Sequence, residues 1–381
     1  MKPKNPFFFR ELPTDGPFCN REIELNELAN HAKSLANVVL FSPRRFGKTS
    51  LIKRVQSNLS KEGAVCVYTD FYGITSVEDV AARLAKAVFR ETHARETLFK
   101  KAARTIKSFR PTMVMTPDEE KGFSVNVQMA PTGLSGFALL EDVLESLGEF
   151  IKDSGELVHL VLDEFQEITT LHNALSIEGI LRQYIQQHQA AYTFVGSRRR
   201  ILLSIFNEEQ RPFFKSAINY ELPPLPEKEF AAFIVEQFAE HEKTCSPENA
   251  LQLVSAVHCF PYYTQKLAYF VFENVHSKVS SSDIAKGVRI LLRNETPSFE
   301  GIFLGLAPGQ IGLLLAIAIE PSRSIFSQEY IQRHRLSSTG GAQAAKKKLL
   351  QLDLIEQQNK TWQVVDPVFQ KWLIFEANST Q

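Results

Sequence analysis

Short apolar runs alternate with helical stretches over the first two-thirds of the chain, which is the pattern of an α/β fold. Val38-Val39-Leu40-Phe41 is stopped by Ser42-Pro43, and a helical pattern follows from about Lys48 to Leu59. Ala64–Tyr68 predicts a second strand. Ser76 then predicts a helix cap, with Asp79 three residues on and Val80, Leu84 and Val88 on one face. Leu157–Leu162 has almost no polar alternation, so it predicts a central parallel strand buried on both faces. Ala191–Val195 and Ile218–Leu222 supply a fourth and a fifth strand. Strands joined by helices imply a parallel sheet whose ligands lie at the strand C-termini.

Residues 95–135 fit that alternation poorly. Lys100, Lys101, Arg104, Lys107 and Arg110 form a basic stretch, and Phe123–Val127 alternates as an exposed hairpin does, so the segment reads as a peripheral insertion. Pro223-Pro224-Leu225-Pro226 marks a boundary. Glu227 to about Val288 is helical throughout and predicts a small all-α domain. Beyond it, helices are expected near Gln310–Ile319, Ser327–Arg335 and Ala342–Leu352. Leu354–Gln357 and Trp362–Val365 then flank the turn Asn359-Lys360. Three helices and a two-stranded wing predict a winged helix.

Composition narrows the class. Forty-three Lys and Arg balance 43 Asp and Glu, which excludes a strongly basic nucleic-acid coat but not a local basic patch. The uncharged stretch Gly301–Ile319 is interrupted by Pro308, Gly309 and Gln310, so no spanning helix is expected. Phe7-Phe8-Phe9 is too short for a signal-peptide core, and a cytoplasmic protein is expected. Cys19, Cys66, Cys245 and Cys259 lack metal-ligand spacing and read as reduced packing residues.

Chemistry concentrates at two strand ends. Ser42-Pro43-Arg44-Arg45-Phe46-Gly47-Lys48-Thr49 follows the first strand and opens its helix, matching G-x-x-x-x-G-K-[ST] except that Ser42 replaces the first Gly. Such a loop aims backbone N–H groups at an anion, and Gly47 lets the backbone approach it closely. Lys48 would reach the β and γ phosphates and the Thr49 hydroxyl would ligate Mg²⁺. Leu160-Val161-Leu162-Asp163-Glu164 ends the most apolar strand in two carboxylates, the Walker B pattern. Asp163 would hold Mg²⁺ through water and Glu164 would polarise an attacking water, which favours an ATPase. Gln166 and Glu167 read as solvated loop residues.

Together these residues resemble the AAA+-related STAND/archaeal-type P-loop ATPases, over nearly the whole chain. Pro43-Arg44-Arg45-Phe46-Gly47-Lys48-Thr49-Ser50 is similar to that family's phosphate loop. Phe18-Cys19-Asn20-Arg21-Glu22-Ile23-Glu24-Leu25 is similar to its segment beside the adenine, with Asn20 where Gly is usual. Gly196-Ser197-Arg198 resembles its sensor of the γ-phosphate, and Arg211-Pro212-Phe213-Phe214 the segment before the fifth strand. His258-Cys259-Phe260-Pro261-Tyr262-Tyr263-Thr264-Gln265 resembles a lid signature in which Gly is usual at His258 or Cys259. Asp366-Pro367-Val368-Phe369-Gln370-Lys371-Trp372-Leu373 resembles the end of the C-terminal module.

The resemblance implies an α/β P-loop sheet in 5-1-4-3-2 order, an α-helical lid and a C-terminal winged helix. The expected domains are an ATPase core at 1–225, a lid at 226–300 and a winged helix at 301–381. It implies ATP/ADP and Mg²⁺, with Phe18, Arg21, Pro43, Arg44, Arg45, Phe46, Gly47, Lys48, Thr49, Ser50, Ser197, Pro261 and Tyr262 binding nucleotide. Lys48, Asp163, Glu164 and Arg198 carry the chemistry, and Thr49 and Asp163 take the metal. The expected activity is a slow regulatory ATPase whose turnover moves the lid and winged helix. The alternatives are an ATP-controlled DNA-binding initiator-like protein and a nucleotide switch with negligible turnover. Expected partners are the nucleotide, a protein, co-encoded in the genome, and a homo-oligomer.

Several cations keep two readings. Arg44 and Arg45 are loop ligands or solvated residues. Arg198-Arg199-Arg200 oppose the dipole at a helix start, which suits an anion nearby or a solvated basic face. Arg211 is a finger acting on a neighbour's nucleotide or a surface residue. Lys346-Lys347-Lys348, with Arg333 and Arg335 before them, contact DNA phosphates weakly or serve packing, and Gln343 and Gln351 are the few base-reading side chains on that helix.

Overall fold

The computed structural model describes residues 4–9, 12, 16–92, 97, 100, 102, 109–118, 122–131 and 134–379, with 109–118, 122–131 and 377–379 as backbone. Lys101, Arg104 and Lys107 of the expected basic stretch lie outside the described residues. The chain divides into two compact units, a sheet unit (Glu22–Ser42 and Lys48–Leu222) and a helical unit (Met1–Arg21, Pro43–Gly47 and Pro223–Gln381).

The sheet unit opens with α1 (Glu22–Lys33), β1 (Val38–Phe41), α2 (Lys48–Lys61), β2 (Val65–Asp70) and α3 (Val77–Thr92). The antiparallel pair β3 (Phe109–Asp118) and β4 (Gly122–Pro131) follows, then α4 (Gly136–Ser154) and β5 (Val158–Asp163). A 3-10 turn at Phe165–Thr170 leads to α5 (Ala174–Ile185), β6 (Ala191–Gly196), α6 (Arg199–Asn207) and β7 (Ile218–Glu221). Five of these strands form one parallel sheet in the order β2-β5-β6-β1-β7. Counting sheet strands along the chain, that is the expected 5-1-4-3-2 order. All six residues of β5 and of β6 are buried, as apolar strands covered on both faces must be. The edge strand β7 instead exposes Ile218, Asn219 and Glu221.

Register sets up the chemistry. Asp70 lies opposite Asp163, and Phe41 opposite Gly196, so β1, β2, β5 and β6 end close to level. Phe165 follows the acidic pair directly and is fully buried against Phe194 at 4.7 Å and Phe213 at 5.5 Å between ring centroids. Burying that ring anchors the turn, and truncating it to Ala is expected to cost about 3–5 kcal/mol. The β3–β4 pair runs for ten residues on each strand, twice the length that Phe123–Val127 shows in sequence.

The helical unit contains α7 (Glu227–Ala239), α8 (Pro247–Ala256), α9 (Pro261–Asn274) and α10 (Ser281–Leu304). They are followed by α11 (Pro308–Ile319), α12 (Gln328–Arg333), α13 (Thr339–Gln351), the antiparallel wing β8 (Ile355–Gln358) and β9 (Thr361–Val364), and α14 (Pro367–Ser379). Serine caps start several of them: Ser246, Ser280, Ser327 and Ser338 each accept from a backbone N–H three residues on. The expected boundary at 300/301 is corrected, because it falls inside α10, a continuous helix that carries Pro297. The expected start of the core at residue 1 also shifts. Phe7 is buried on Phe238 and Phe272, and Asn5 donates to the Tyr269 carbonyl, so the N-terminal segment is fastened within the helical unit.

Asp366 explains its own motif. Its Oδ1 accepts from Val368 N and Phe369 N at 2.9 Å each, and Phe369 and Trp372 stack with Phe299 beside them. Among the described residues, no helix is long and apolar enough to cross a membrane.

Candidate functional site

The level strand ends bring the sheet unit's chemistry together. Lys48 is the first residue of α2, whose first turn carries no acid to offset the helix dipole. Its Nζ donates to the Ser42 carbonyl at 3.1 Å and to Ser42 Oγ at 3.3 Å, so the Ser that replaces Gly closes the loop through its buried hydroxyl. Thr49 Oγ1 donates to Asp163 Oδ2 at 3.0 Å, and Tyr68 Oη donates to the same oxygen at 2.5 Å. Burial pushes the Asp163 carboxyl above its ordinary range, and the Glu164 charge adds to this; the hydrogen bonds from Tyr68, Glu164 N and Thr49 work against it.

Glu164 stands at φ +50°, a left-handed conformation rare for a residue with a side chain. Its N–H donates to Asp163 Oδ1 at 2.9 Å. Its Oε2 accepts from Ser197 Oγ at 2.9 Å and from the Gln166 side-chain amide. The expectation that Gln166 and Glu167 are solvated is corrected. Gln166 is 1% exposed, because Phe165 draws the turn into the core, and Glu167 is half-buried and pairs with Arg198 at 3.7 Å.

In the helical unit, the phosphate loop bends at Arg45 (φ +61°) and at Gly47 (φ +91°), the latter a conformation that glycine adopts without strain. Arg44 is exposed and Pro43 half-buried. Phe46 packs edge-on to Phe260, 5.2 Å away, so what it offers an anion is its backbone N–H. The Arg45 guanidinium lies over the Tyr262 ring at 4.4 Å and reaches Glu295 Oε2 at 3.2 Å. Glu295, 3% exposed, also pairs with Lys266 and accepts from Tyr262 Oη at 3.3 Å. Tyr263 Oη donates to Asp366 Oδ2 at 2.5 Å, which ties α9 to the cap of α14. Pro261 starts α9 at its N1 position.

Both departures from family glycines are accommodated by the backbone. Asn20 and Arg21 have φ +49° and +80°, and His258 and Cys259 have φ +51° and +57°. Asn20 donates to Glu229, Arg21 is buried, and Phe18 is half-buried. Ser50 is half-buried in the first turn of α2.

Arg211 is neither a surface residue nor a projecting finger here. It pairs with Glu178, which is fully buried and whose carboxyl burial pushes up to about 7. On α13, Lys346 lies over the rings of Phe326 and Trp362 at 5.2 and 5.3 Å, while Lys347 and Lys348 are exposed. Arg333 pairs with Glu320 and Glu329. Sequence reasoning missed Tyr68, Gln166, Lys266 and Glu295. Their partners lie on other elements or look like loop polarity, and only the alternation of β2, which puts Tyr68 on the less buried face, was a readable signal.

The oxygen donors fit a hard divalent cation. A hydroxyl and a buried carboxylate converge within 3.0 Å, and Mg²⁺ takes one or two protein oxygens beside phosphate and water. Among the described residues no group of three or more His, Cys, Asp or Glu side chains forms a metal cluster.

Two family models match the chain. Residues 18–258 match an ATPase domain predominantly from Archaea, and residues 297–374 match a probable winged helix domain. Among solved structures, a Walker-type ATPase of Pyrococcus abyssi is similar with TM-score 0.68 and 16% identity, covering 93% of this chain and 96% of that one. The ORC2 protein of Aeropyrum pernix, in ADPNP-ADP complexes, is similar with TM-score 0.59 and 16% identity over 98% of both chains. The ORC1 protein of the same organism, in complex with DNA, is similar with TM-score 0.53 and 15% identity over 100% and 99%. No curated protein matches this chain in sequence. With a phosphate loop after β1, an acidic pair at the end of β5, and a family match over well over half its length, the chain belongs to the archaeal-type AAA+-related P-loop ATPases: it is an ATP-binding ATPase with a C-terminal winged helix.

Proposed function

We propose that this ATPase is a slow, Mg²⁺-dependent regulatory enzyme that uses ATP turnover to rearrange its helical lid and winged helix toward a protein partner. Lys48 and the backbone of Pro43–Gly47 hold the phosphates, and Thr49 and Asp163 hold the metal. The cation supplies charge neutralisation on the phosphates when bound. Glu164 orients and deprotonates the attacking water, Ser197 holds its carboxylate, and Arg198 senses the γ-phosphate. The single observation that carries the reading is the convergence of Thr49, Tyr68 and Glu164 N–H on Asp163, with Glu164 held by Ser197. Turnover reaching the lid and winged helix is supported by Arg45 of the phosphate loop, held by Glu295 of α10, and by the Tyr263–Asp366 bond.

Lys48→Ala should abolish tight MgATP binding by calorimetry. Glu164→Gln should bind ATP and lose about 10²–10⁴-fold in phosphate release, the usual contribution of a general base. Wild-type turnover in Glu164→Gln would remove that residue from the chemistry.

A DNA-directed reading is the second, and ORC1 of Aeropyrum pernix, solved with DNA, motivates it. On this chain the exposed Lys347 and Lys348 would carry it, as weak, non-specific phosphate contacts.

A further inference from the structure

Gln166, to which the family pattern assigns no role, joins Gly196 and Ser197 around Glu164. Gln166 is 1% exposed, and its amide nitrogen donates to Glu164 Oε2, the oxygen that Ser197 Oγ also holds. Its own Oε1 is buried and has no hydrogen-bond partner among the described residues. The cost of a buried unsatisfied acceptor persists where the same side chain serves another purpose. The amide orientation is fixed by chemistry: turned over, its oxygen would face a carboxylate oxygen.

Gly196 makes the room. A Cβ built there would collide with Gln166 Oε1 and come within 3.1 Å of Leu202 Cδ2. Gly196 does not need glycine for its backbone, because it ends the regular strand β6 in register with Phe41. Its missing side chain is filled by Gln166. Below, Thr169 Oγ1 donates to the Gln166 carbonyl at 2.8 Å, and Phe165 pins the turn in the aromatic core. The carboxylate is thereby held at Oε2 by two side chains, one of them seated on a turn that is itself fastened to the core.

We infer that Gln166, seated in the space left by Gly196, is the positioning residue of the water-activating carboxylate: together with Ser197 it fixes Oε2 of Glu164 and so aims Oε1 at the water. This rests on the reading of Glu164 as the base. A positioned general base contributes about 10²–10⁴-fold, and loosening it forfeits part of that while leaving ATP binding untouched.

The test is a set of variants of the full chain measured for steady-state ATP hydrolysis, ATP affinity and thermal unfolding. Gln166→Met keeps the volume and removes the donor. Its kcat should fall roughly 10–100-fold with KM and ATP affinity unchanged. Gly196→Ala should reproduce that fall by displacing Gln166, and the Gln166→Ala/Gly196→Ala pair should be no slower than Gln166→Ala alone. In a Glu164→Gln background, Gln166→Met should change residual turnover less than twofold, because the residue acts only through the carboxylate. Wild-type kcat in Gln166→Met, a parallel rise in KM, or a further large drop in the Glu164→Gln background would overturn the inference. If Gln166→Met fails to fold, the Gly196→Ala arm decides in the same way. Wild-type hydrolysis by Glu164→Gln itself would instead sink the underlying reading of the base.

Discussion

The two units each bury acidic side chains, and they hold them with different chemistry. In the sheet unit, the contacts around Asp163 and Glu164 come from hydroxyls and amides: Thr49, Tyr68, Ser197, Gln166 and a backbone N–H. In the helical unit, Glu295 is met by two cations, Lys266 and Arg45, and by the Tyr262 hydroxyl. Burial still raises Asp163 despite its donors, which is the state of a carboxylate that a ligand's positive charge would stabilise. A carboxylate bracketed by two side-chain cations is already neutralised within the fold. The first arrangement suits an exchanging cation and a reacting water. The second suits a fixed strut, and one of its cations, Arg45, is a residue of the phosphate loop.

The largest effects should separate these two sites cleanly. Asp163→Asn is expected to cost at least about 10²-fold in MgATP hydrolysis, by analogy with loss of a single electrostatic group at a reacting centre. Because burial disfavours the Asp163 charge, the same change should leave stability in urea equal to or above that of the wild type. Glu295→Gln should do the reverse. It leaves Lys266 buried without its partner, a loss of about 3–5 kcal/mol in chemical denaturation. A Glu295→Gln protein as stable as the wild type would break the comparison.

Buried histidines extend the contrast to pH. His159 lies in β5, fully buried, and its Nε2 pairs with Thr193 Oγ1 at 2.9 Å. His188 sits against Leu144 O and Tyr192 Oη. Burial lowers both to about 4 from 6.5. A depressed histidine is neutral in the fold, while the unfolded chain takes up the proton below pH 6.5. Stability should therefore be full above about pH 6.5 and fall as pH drops toward 4. The loss is about 3 kcal/mol per histidine at the lower limit, less for the incompletely buried His188. Urea midpoints between pH 7.5 and 4.5 would read it. His159→Gln should flatten the curve by about half, and an unchanged slope in that variant would assign the acid sensitivity elsewhere.

What the sequence made legible followed from periodicity and from local spacing. β5 read as a central strand because its apolar run has almost no polar alternation, and Gly47-Lys48-Thr49 and Asp163-Glu164 read as a site because each is contiguous. What escaped depends on partners distant in sequence. Glu295 meets Arg45 across 250 residues, and nothing near either one announces it. Gln166 follows two carboxylates and has the composition of a loop; only the burial of its neighbour Phe165 shows that the turn points inward. The expected lid boundary at 300/301 falls inside α10, which continues through Pro297 to Leu304. Asn20, and His258 or Cys259, stand where glycine is usual, and the backbone takes positive φ at all three.

A smaller effect sharpens the picture of Asp163. Tyr68→Phe removes one of its hydroxyl donors and leaves the ring over which Lys53 lies at 4.6 Å. A hydrogen bond to a charged group contributes about 1.5–3 kcal/mol, and part of it is recovered from water. The expected outcome is a several-fold higher Mg²⁺ requirement for hydrolysis with little change in thermal stability. Titrating activity against Mg²⁺ at saturating ATP would measure it, and an unchanged half-saturation would mean that Tyr68 only braces the strand.

The smallest effects lie on α13, where one helix carries both kinds of cation. Lys346 lies over Phe326 and Trp362, so its charge is held by aromatic faces inside the winged helix. Lys347 and Lys348 face solvent. At about 100° per residue, three consecutive lysines fan over roughly 200° and cannot address one surface together. Lys346→Ala should therefore lower stability by about 0.5–1 kcal/mol, the scale of one cation–π contact at a partly exposed site, and leave DNA binding unchanged. Lys347→Ala and Lys348→Ala should stay within about 0.5 kcal/mol in stability, as exposed substitutions do. If DNA binds this face, those two changes should weaken it and flatten the log-affinity against log-salt slope, which two phosphate contacts set at about −2. Fluorescence anisotropy with random duplex at several salt concentrations reads that slope. Tight, sequence-selective binding that depends on Lys346 would contradict the inward packing of that side chain and favour the DNA-directed reading over a protein partner.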